Sequence, residues 1–232
     1  MDIAENIRTV KENIAIAAGR SGRSPDDILL VGASKMNDAD TVRAAIAAGL
    51  KICGENRVQE MLEKNALGAY DGAELHFIGH LQKNKVKNVV GLAKLIHSVD
   101  SAELMDTISK TACRIGIAQD ILIEINIAQE TAKSGFAPGE CAAAIEFASK
   151  MPGLRVRGLM CVPPICDFGE ENRPYFTLMR KLFIDNSEKK YDNVDMDFMS
   201  MGMSGDYMTA IECGANMVRV GSAIFGPRNY LH

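Results

Sequence analysis

Lys35, Arg219 and two short runs of glycine and serine are the residues whose types and spacing suggest chemistry in this chain of 232 residues. Lys35 closes the row Ile28-Leu29-Leu30-Val31-Gly32-Ala33-Ser34-Lys35. With the two-residue repeat of a strand, Leu29, Val31, Ala33 and Lys35 share one face, so the amine ends an apolar stripe. An amine pressed against apolar walls is poorly hydrated. More of it is neutral, and it can attack an aldehyde to form a Schiff base. A strand-end lysine whose ammonium snorkels to water is the commoner arrangement, and position alone does not separate the two.

Near the end of the chain stand Ser200-Met201-Gly202-Met203-Ser204-Gly205-Asp206 and Gly221-Ser222-Ala223. Small residues let backbone N–H groups approach an anion closely, and hydroxyls add donors. Either run alone reads as an ordinary turn. Together, beside a strand-end lysine, they favour a phosphorylated ligand. Between them, Met217-Val218-Arg219-Val220-Gly221 sets a guanidinium in an apolar strand. A buried arginine needs an acceptor. A neighbouring carboxylate would serve structurally. The functional alternative is the pyridine nitrogen of a cofactor, which an arginine leaves unprotonated, making the ring a weaker electron sink.

The elements that must position these residues alternate from end to end. Apolar, β-branched runs predict strands over 28–34, 52–54, 75–78, 95–99, 121–127, 156–162, 197–201 and 217–220. Amphipathic segments between them predict helices over 41–48, 58–65, 84–92, 102–113, 139–150, 175–183 and 207–213, with an extra helix over 2–18 ahead of the first strand. A doubly wound open sheet could use this pattern, but eight strands favour closure. The expected fold is α/β, a single (β/α)8 TIM-type barrel over residues 1–232 with an extra N-terminal helix. In such a barrel the site lies where the strands end.

Composition narrows the class. Hydrophobic residues make up 47%, enough for a sizeable core, and the net charge of −4 offers no broad footprint for nucleic acid or an anionic membrane. The basic stretch Lys83-Asn84-Lys85-Val86-Lys87 reads as a solvated face. Cysteines at 53, 113, 141, 161, 166 and 213 form no Cys-x-x-Cys pair, so no metal site is expected and a reducing cytoplasmic compartment is. The start, Met1-Asp2-Ile3-Ala4-Glu5, lacks the basic and apolar regions of a signal peptide, and no apolar run reaches the ~18 residues of a membrane span. The thirteen methionines read as irregular core filler, apart from those in the loop after strand seven.

Further segments carry a likeness. Gly54-Glu55-Asn56-Arg57-Val58-Gln59-Glu60, His76-Phe77-Ile78-Gly79-His80-Leu81-Gln82-Lys83-Asn84-Lys85, His97-Ser98-Val99-Asp100 and Gly158-Leu159-Met160 join Ser34-Lys35 and the two loops. With Arg219-Val220-Gly221-Ser222-Ala223-Ile224-Phe225-Gly226, they resemble the pyridoxal phosphate homeostasis protein family, a single barrel akin to the N-terminal domain of alanine racemase. The resemblance implies pyridoxal 5′-phosphate (PLP, the active form of vitamin B6) as cofactor, bound to Lys35 as an internal aldimine. It also implies Arg219 against the pyridine nitrogen, Asn56 beside the ring, and Ser200, Gly221 and Ser222 around the phosphate. Met201, Gly202 and Ser204 would shape the phosphate loop. His80 is a weaker candidate near the pocket. The chain departs from the family pattern at Met36, Asp38 and Arg57, around the pocket mouth.

The resemblance implies storage, buffering or delivery of the cofactor, with PLP-dependent apo-enzymes as partners. A monomer is expected. The alternative is a PLP-dependent racemase or decarboxylase. Racemisation needs an acid/base group on each face of the substrate carbanion. In enzymes like alanine racemase, that second group is a tyrosine from an additional domain, and none is expected in a chain ending at His232. Tyr207, at the start of the helix after strand seven, is more readily a packing residue than a substitute base. A Schiff-base aldolase would share Lys35 and the phosphate loops but would not need Arg219.

Overall fold

The computed structural model describes residues 2–227. The chain terminus at His232 lies outside the described residues. Eight parallel strands close in sequence order: β1 (Leu29–Ala33), β2 (Ile52–Glu55), β3 (Glu74–Phe77), β4 (Leu95–Val99), β5 (Gln119–Ile125), β6 (Leu154–Cys161), β7 (Val194–Ser200) and β8 (Met217–Val220). Among the described residues, six helices pack outside where helices were expected, α2 (Ala39–Ala47), α3 (Val58–Ala66), α4 (Ala102–Arg114), α5 (Cys141–Ser149), α6 (Arg173–Ser187) and α7 (Tyr207–Glu212), and a single turn that was not expected, α8 (Ser222–Phe225), follows β8. The expected extra helix is α1 (Ile3–Arg20). No helix among the described residues is long and apolar enough to cross a membrane.

Local chemistry explains the boundaries. Asp2 caps α1 by accepting from the N–H groups of Ala4 and Glu5, and Asp38 caps α2 through Thr41 N at 2.8 Å. Asp38, one of the departures from the family pattern, therefore has a structural use. On α1, Ile7, Val10, Ile14, Ala17 and Ala18 form the buried stripe of an amphipathic helix. The helix covers α7 and α8, where Asn6 Nδ2 donates to Ile224 O at 2.8 Å and Asn13 Nδ2 to Tyr207 Oη at 3.0 Å. The segment expected as a helix over 84–92 is instead a 3₁₀ stretch, Lys83–Asn88. Val86 alone is buried within it, and Gly91 at φ 82° turns the chain into β4 before a longer helix can form. Lys83, Lys85 and Lys87 are solvated, as expected of that stretch.

The two-residue alternation divides the core. One set of side chains fills the space between strands and helices. The other fills the barrel with Val31, Ile52, Leu95, Leu122, Met160 and Met217. Two residues beyond Leu95, Leu122 and Met217, the same inner face carries His97, Glu124 and Arg219. The interior thus changes from apolar to polar within one pleat, toward the mouth where the strands end.

Gly158 allows the irregular meeting of β6 with β7. The register shifts between Val156 and Gly158, and Gly158 has φ 136°. A Cβ there would sit 1.9 Å from the carbonyl oxygen of Phe198. Gly158→Ala is expected to cost at least about 2 kcal/mol, from clash and backbone strain together. Urea denaturation of the two proteins measures this, and equal midpoints would contradict it.

Candidate cofactor site at the barrel mouth

Lys35 lies in the turn that leaves β1 and is half-buried. The backbone around it is clamped. Ser34 N donates to Gly54 O at 3.0 Å, Asn37 Nδ2 donates to Lys35 O at 3.1 Å, and Met36 N donates to Glu60 Oε2 at 2.8 Å. Met36 adopts φ 62°, an uncommon conformation for a residue with a side chain, so the turn is held rather than relaxed. Beneath it is a buried polar cluster that sequence reading did not identify. Glu55 Oε1 accepts from Ser34 Oγ at 2.6 Å, Lys64 Nζ at 2.7 Å and Tyr70 Oη at 3.0 Å. Lys64 Nζ also reaches Ser34 O at 2.8 Å. Burial, and next to it the Glu55 carboxylate, push the Tyr70 hydroxyl well above its ordinary value, so it remains a donor. A buried pair adds little net stability but resists loss of either partner. Here it fixes the residue before Lys35.

Arg219 is 4% exposed and projects from β8 into the barrel. Its Nη1 donates to Ser200 Oγ at 2.6 Å and its Nη2 to Cys161 O at 2.8 Å. Both acceptors are neutral. Among the described residues no carboxylate lies within 4.0 Å of the guanidinium, so the structural use weighed for it, an ion pair, is not made. Ser200 is fully buried and its hydroxyl faces Arg219 and His97, where the sequence expectation had a phosphate. Burial pushes the adjacent Cys161 thiol up to about 12, so it stays protonated.

The two small-residue loops meet as expected. Ser204 Oγ accepts from Gly221 N at 3.1 Å and Ala223 N at 3.4 Å. Gly202 adopts φ 93°, its carbonyl takes Arg219 N at 3.0 Å, and a Cβ on it would press within 2.6 Å of Ala210. Asp206 shapes the first loop by accepting from Met203 N at 2.6 Å, while Met201 is buried beside β8. Ser222 is exposed at the end of the second loop.

Asn56 follows β2, and its Oδ1 is buried without a hydrogen-bond partner among the described residues. It lines a cavity of about 230 Å³ at the barrel mouth with Gly79, His80, Glu124, Asn126 and Lys133. An unpartnered buried acceptor, a buried arginine with only neutral partners and a half-buried lysine around one mouth fit a polar, anionic, carbonyl-bearing ligand. His80 stands on the rim, 61% exposed, with Nδ1 3.1 Å from Asp100 Oδ2. Glu124, absent from the sequence expectations, is pushed up to about 7 by burial and by the Asp100 carboxylate, with Arg219 partly opposing. Its place two residues beyond inward Leu122 was the available signal. Tyr207 is turned away, since its hydroxyl bonds Asn13 of α1 on the outer layer.

Comparisons with known proteins agree with this geometry. The family described as alanine racemase, N-terminal domain, matches residues 5–229. The pyridoxal phosphate homeostasis protein of Aquifex aeolicus is 43% identical over 231 residues, covering 99% of this chain and 100% of the relative. That of Pseudomonas aeruginosa is 37% identical, covering 98% and 96%. The structure of PipY from Synechococcus elongatus with PLP bound superposes with a TM-score of 0.83 at 29% identity, covering 97% of this chain and 100% of that one. An alanine racemase from Clostridium difficile, with a TM-score of 0.70 at 15% identity, shares the fold over 99% of this chain and 58% of its own. The chain belongs to the alanine racemase N-terminal domain family, and within it to the pyridoxal phosphate homeostasis proteins.

Proposed function

We propose that the mouth of this barrel binds pyridoxal phosphate, with Lys35 as the covalent anchor, and that the protein serves cofactor homeostasis. The observation that carries the reading is Arg219, a cation buried inside the barrel whose acceptors among the described residues are neutral. A pyridine nitrogen completes its bonding without a carboxylate. When bound, the cofactor supplies an aldehyde that condenses with amines, releasing water, and a ring that can accept electrons. Every other requirement falls on the chain. Glu55, Lys64 and Glu60 hold the Lys35 turn. Asn56 offers its unpartnered oxygen beside the ring. Ser204, Ser222 and the Gly202 and Gly221 backbones surround the phosphate, with Met201 packed beneath. Ser200 supports Arg219, so its part in cofactor binding is indirect.

Holding fits these residues better than turnover. Arginine at the ring nitrogen weakens the electron sink without by itself separating holding from turnover. Tyr207, the substitute second base, spends its hydroxyl on Asn13. We read the carrier as a monomer that gives its cofactor to PLP-dependent apo-enzymes. Six unpaired cysteines, four of them buried, suit a reducing cytoplasm.

The wild-type protein mixed with PLP is expected to turn yellow and to show no racemisation or decarboxylation of L- or D-amino acids at ordinary enzymatic rates. Lys35→Ala should lose the absorption band. A colourless wild type would overturn the cofactor, and turnover that depends on Lys35 would overturn the carrier. A second expectation concerns Glu124, whose carboxyl titrates at about 7. Below that pH it is neutral; above it, its charge opposes an anionic cofactor. Affinity should fall as pH rises through 7, by roughly up to ten-fold for one partly screened charge. Glu124→Gln should flatten that part of the profile, because the cofactor's own titration is common to both proteins. Superimposable profiles would remove Glu124 from the site.

A further inference from the structure

Arg219 is the upper end of a line of side chains that runs down the barrel interior. Arg219 Nη1 lies 2.6 Å from Ser200 Oγ, and His97 Nδ1 lies 3.0 Å from the same oxygen. His97 Nε2 is 3.0 Å from His76 Nδ1, and His76 Nε2 is 3.5 Å from Glu74 Oε2. Arg219, Ser200, His97 and His76 are all buried, whereas the Glu74 side chain is 58% exposed. It opens into a cavity of about 690 Å³ at the opposite mouth, where the strands begin, lined also by Lys51, Lys94, Asp120 and Arg157.

Donor rules give this line one direction. A guanidinium only donates, so Ser200 Oγ accepts from Arg219. That oxygen can accept from His97 Nδ1 as well, but the Glu74 carboxylate only accepts. A neutral His76 therefore keeps its proton on Nε2, its Nδ1 accepts from His97, and the Ser200 hydroxyl proton goes to His97 Nδ1. With Nδ1 accepting, a neutral His97 carries its proton on Nε2 and donates to His76 Nδ1. His76 in turn carries its proton on Nε2, facing the Glu74 carboxylate. Neutral imidazoles are what the surroundings favour. Burial, with His76 and Arg219 adding to it, holds His97 well below its ordinary value. Burial lowers His76 to about 4; Glu74 and Asp120 oppose this and Lys94 assists.

We propose that His97 and His76 are positioning residues for Arg219, forming with Ser200 a polarised relay from the cofactor's ring to Glu74 at the far mouth. This rests on the reading that Arg219 faces the pyridine nitrogen. The relay disperses the charge of an arginine that has no carboxylate partner among the described residues, since each link polarises the next in a low-dielectric interior. It also makes the cavity around Glu74 a place from which charge is felt at the ring.

Histidine ¹⁵N spectra of the cofactor-free protein test the relay directly. Both imidazoles should be neutral Nε2–H tautomers that do not titrate across neutral pH. An Nδ1–H tautomer, or titration of either near its ordinary value, would overturn the proposal. His97→Leu should weaken PLP binding roughly ten-fold, as expected for loss of support to a charged hydrogen bond, and should shift the bound absorption maximum. His97→Gln, which keeps an acceptor and a donor on one planar amide, should restore both. Ser200→Ala breaks the same line with less change in packing, and serves if His97→Leu does not fold. Unchanged affinity and spectrum in a folded His97→Leu or Ser200→Ala protein would overturn the proposal. Arg219→Leu separates the two levels. If it leaves spectrum and affinity unmoved, the ring contact fails and the relay's effect on the cofactor falls with it, whereas the histidine tautomers report the line independently.

Discussion

A guanidinium inside a barrel of apolar side chains must be bonded, because the cost of stripping its water has to be met by nearby acceptors. Arg219 meets that need with a serine hydroxyl and a backbone carbonyl, both neutral. Most buried arginines rely on carboxylates, and a carboxylate here would have closed the account within the protein. Its absence among the described residues leaves a cation pointing at the mouth where Lys35, Asn56 and two small-residue loops converge. The apolar layer of Leu95, Leu122 and Met217 lies below the polar layer. The site thus depends on a change of polarity over one pleat of the barrel.

Geometry at the mouth is held from two sides. On one, Glu55, Lys64 and Tyr70 grip Ser34, and Glu60 grips Met36, so the lysine between them has little backbone freedom. On the other, Ser204 ties the loop after β7 to the loop after β8. A lysine that needs only to hold an aldehyde profits from such rigidity. Tyr207, whose hydroxyl is engaged by Asn13 on the outer layer, offers no group at this mouth.

Much of this is legible in residue types and period. The alternation that aligned Val31 with Lys35 also put Arg219 in the barrel, and the paired glycine and serine runs became two loops joined through Ser204. The same alternation ran through His76, His97 and Glu124, yet single histidines and a single glutamate in apolar strands have ordinary packing uses, so nothing local singled them out. Their proximity emerges only when closure sets β3, β4, β5, β7 and β8 around one interior. Ser200 shows the limit in another way. It is the last residue of β7, and its hydroxyl faces the interior, a direction decided by strand register with β8. The Glu55–Lys64 clamp joins a strand to the following helix, and sequence spacing does not determine whether such a pair is buried. The 83–88 segment failed as a helix because one buried valine and an early Gly91 left too little length for a second turn.

We propose that Arg219 donates to the cofactor's ring nitrogen and leaves that nitrogen without a proton. The most direct measurement is the ¹⁵N chemical shift of PLP labelled at the ring nitrogen and bound to the wild-type protein. The account predicts an unprotonated, hydrogen-bonded pyridine whose shift is constant across neutral pH. A protonated pyridinium, or a shift matching free cofactor in water, would contradict it.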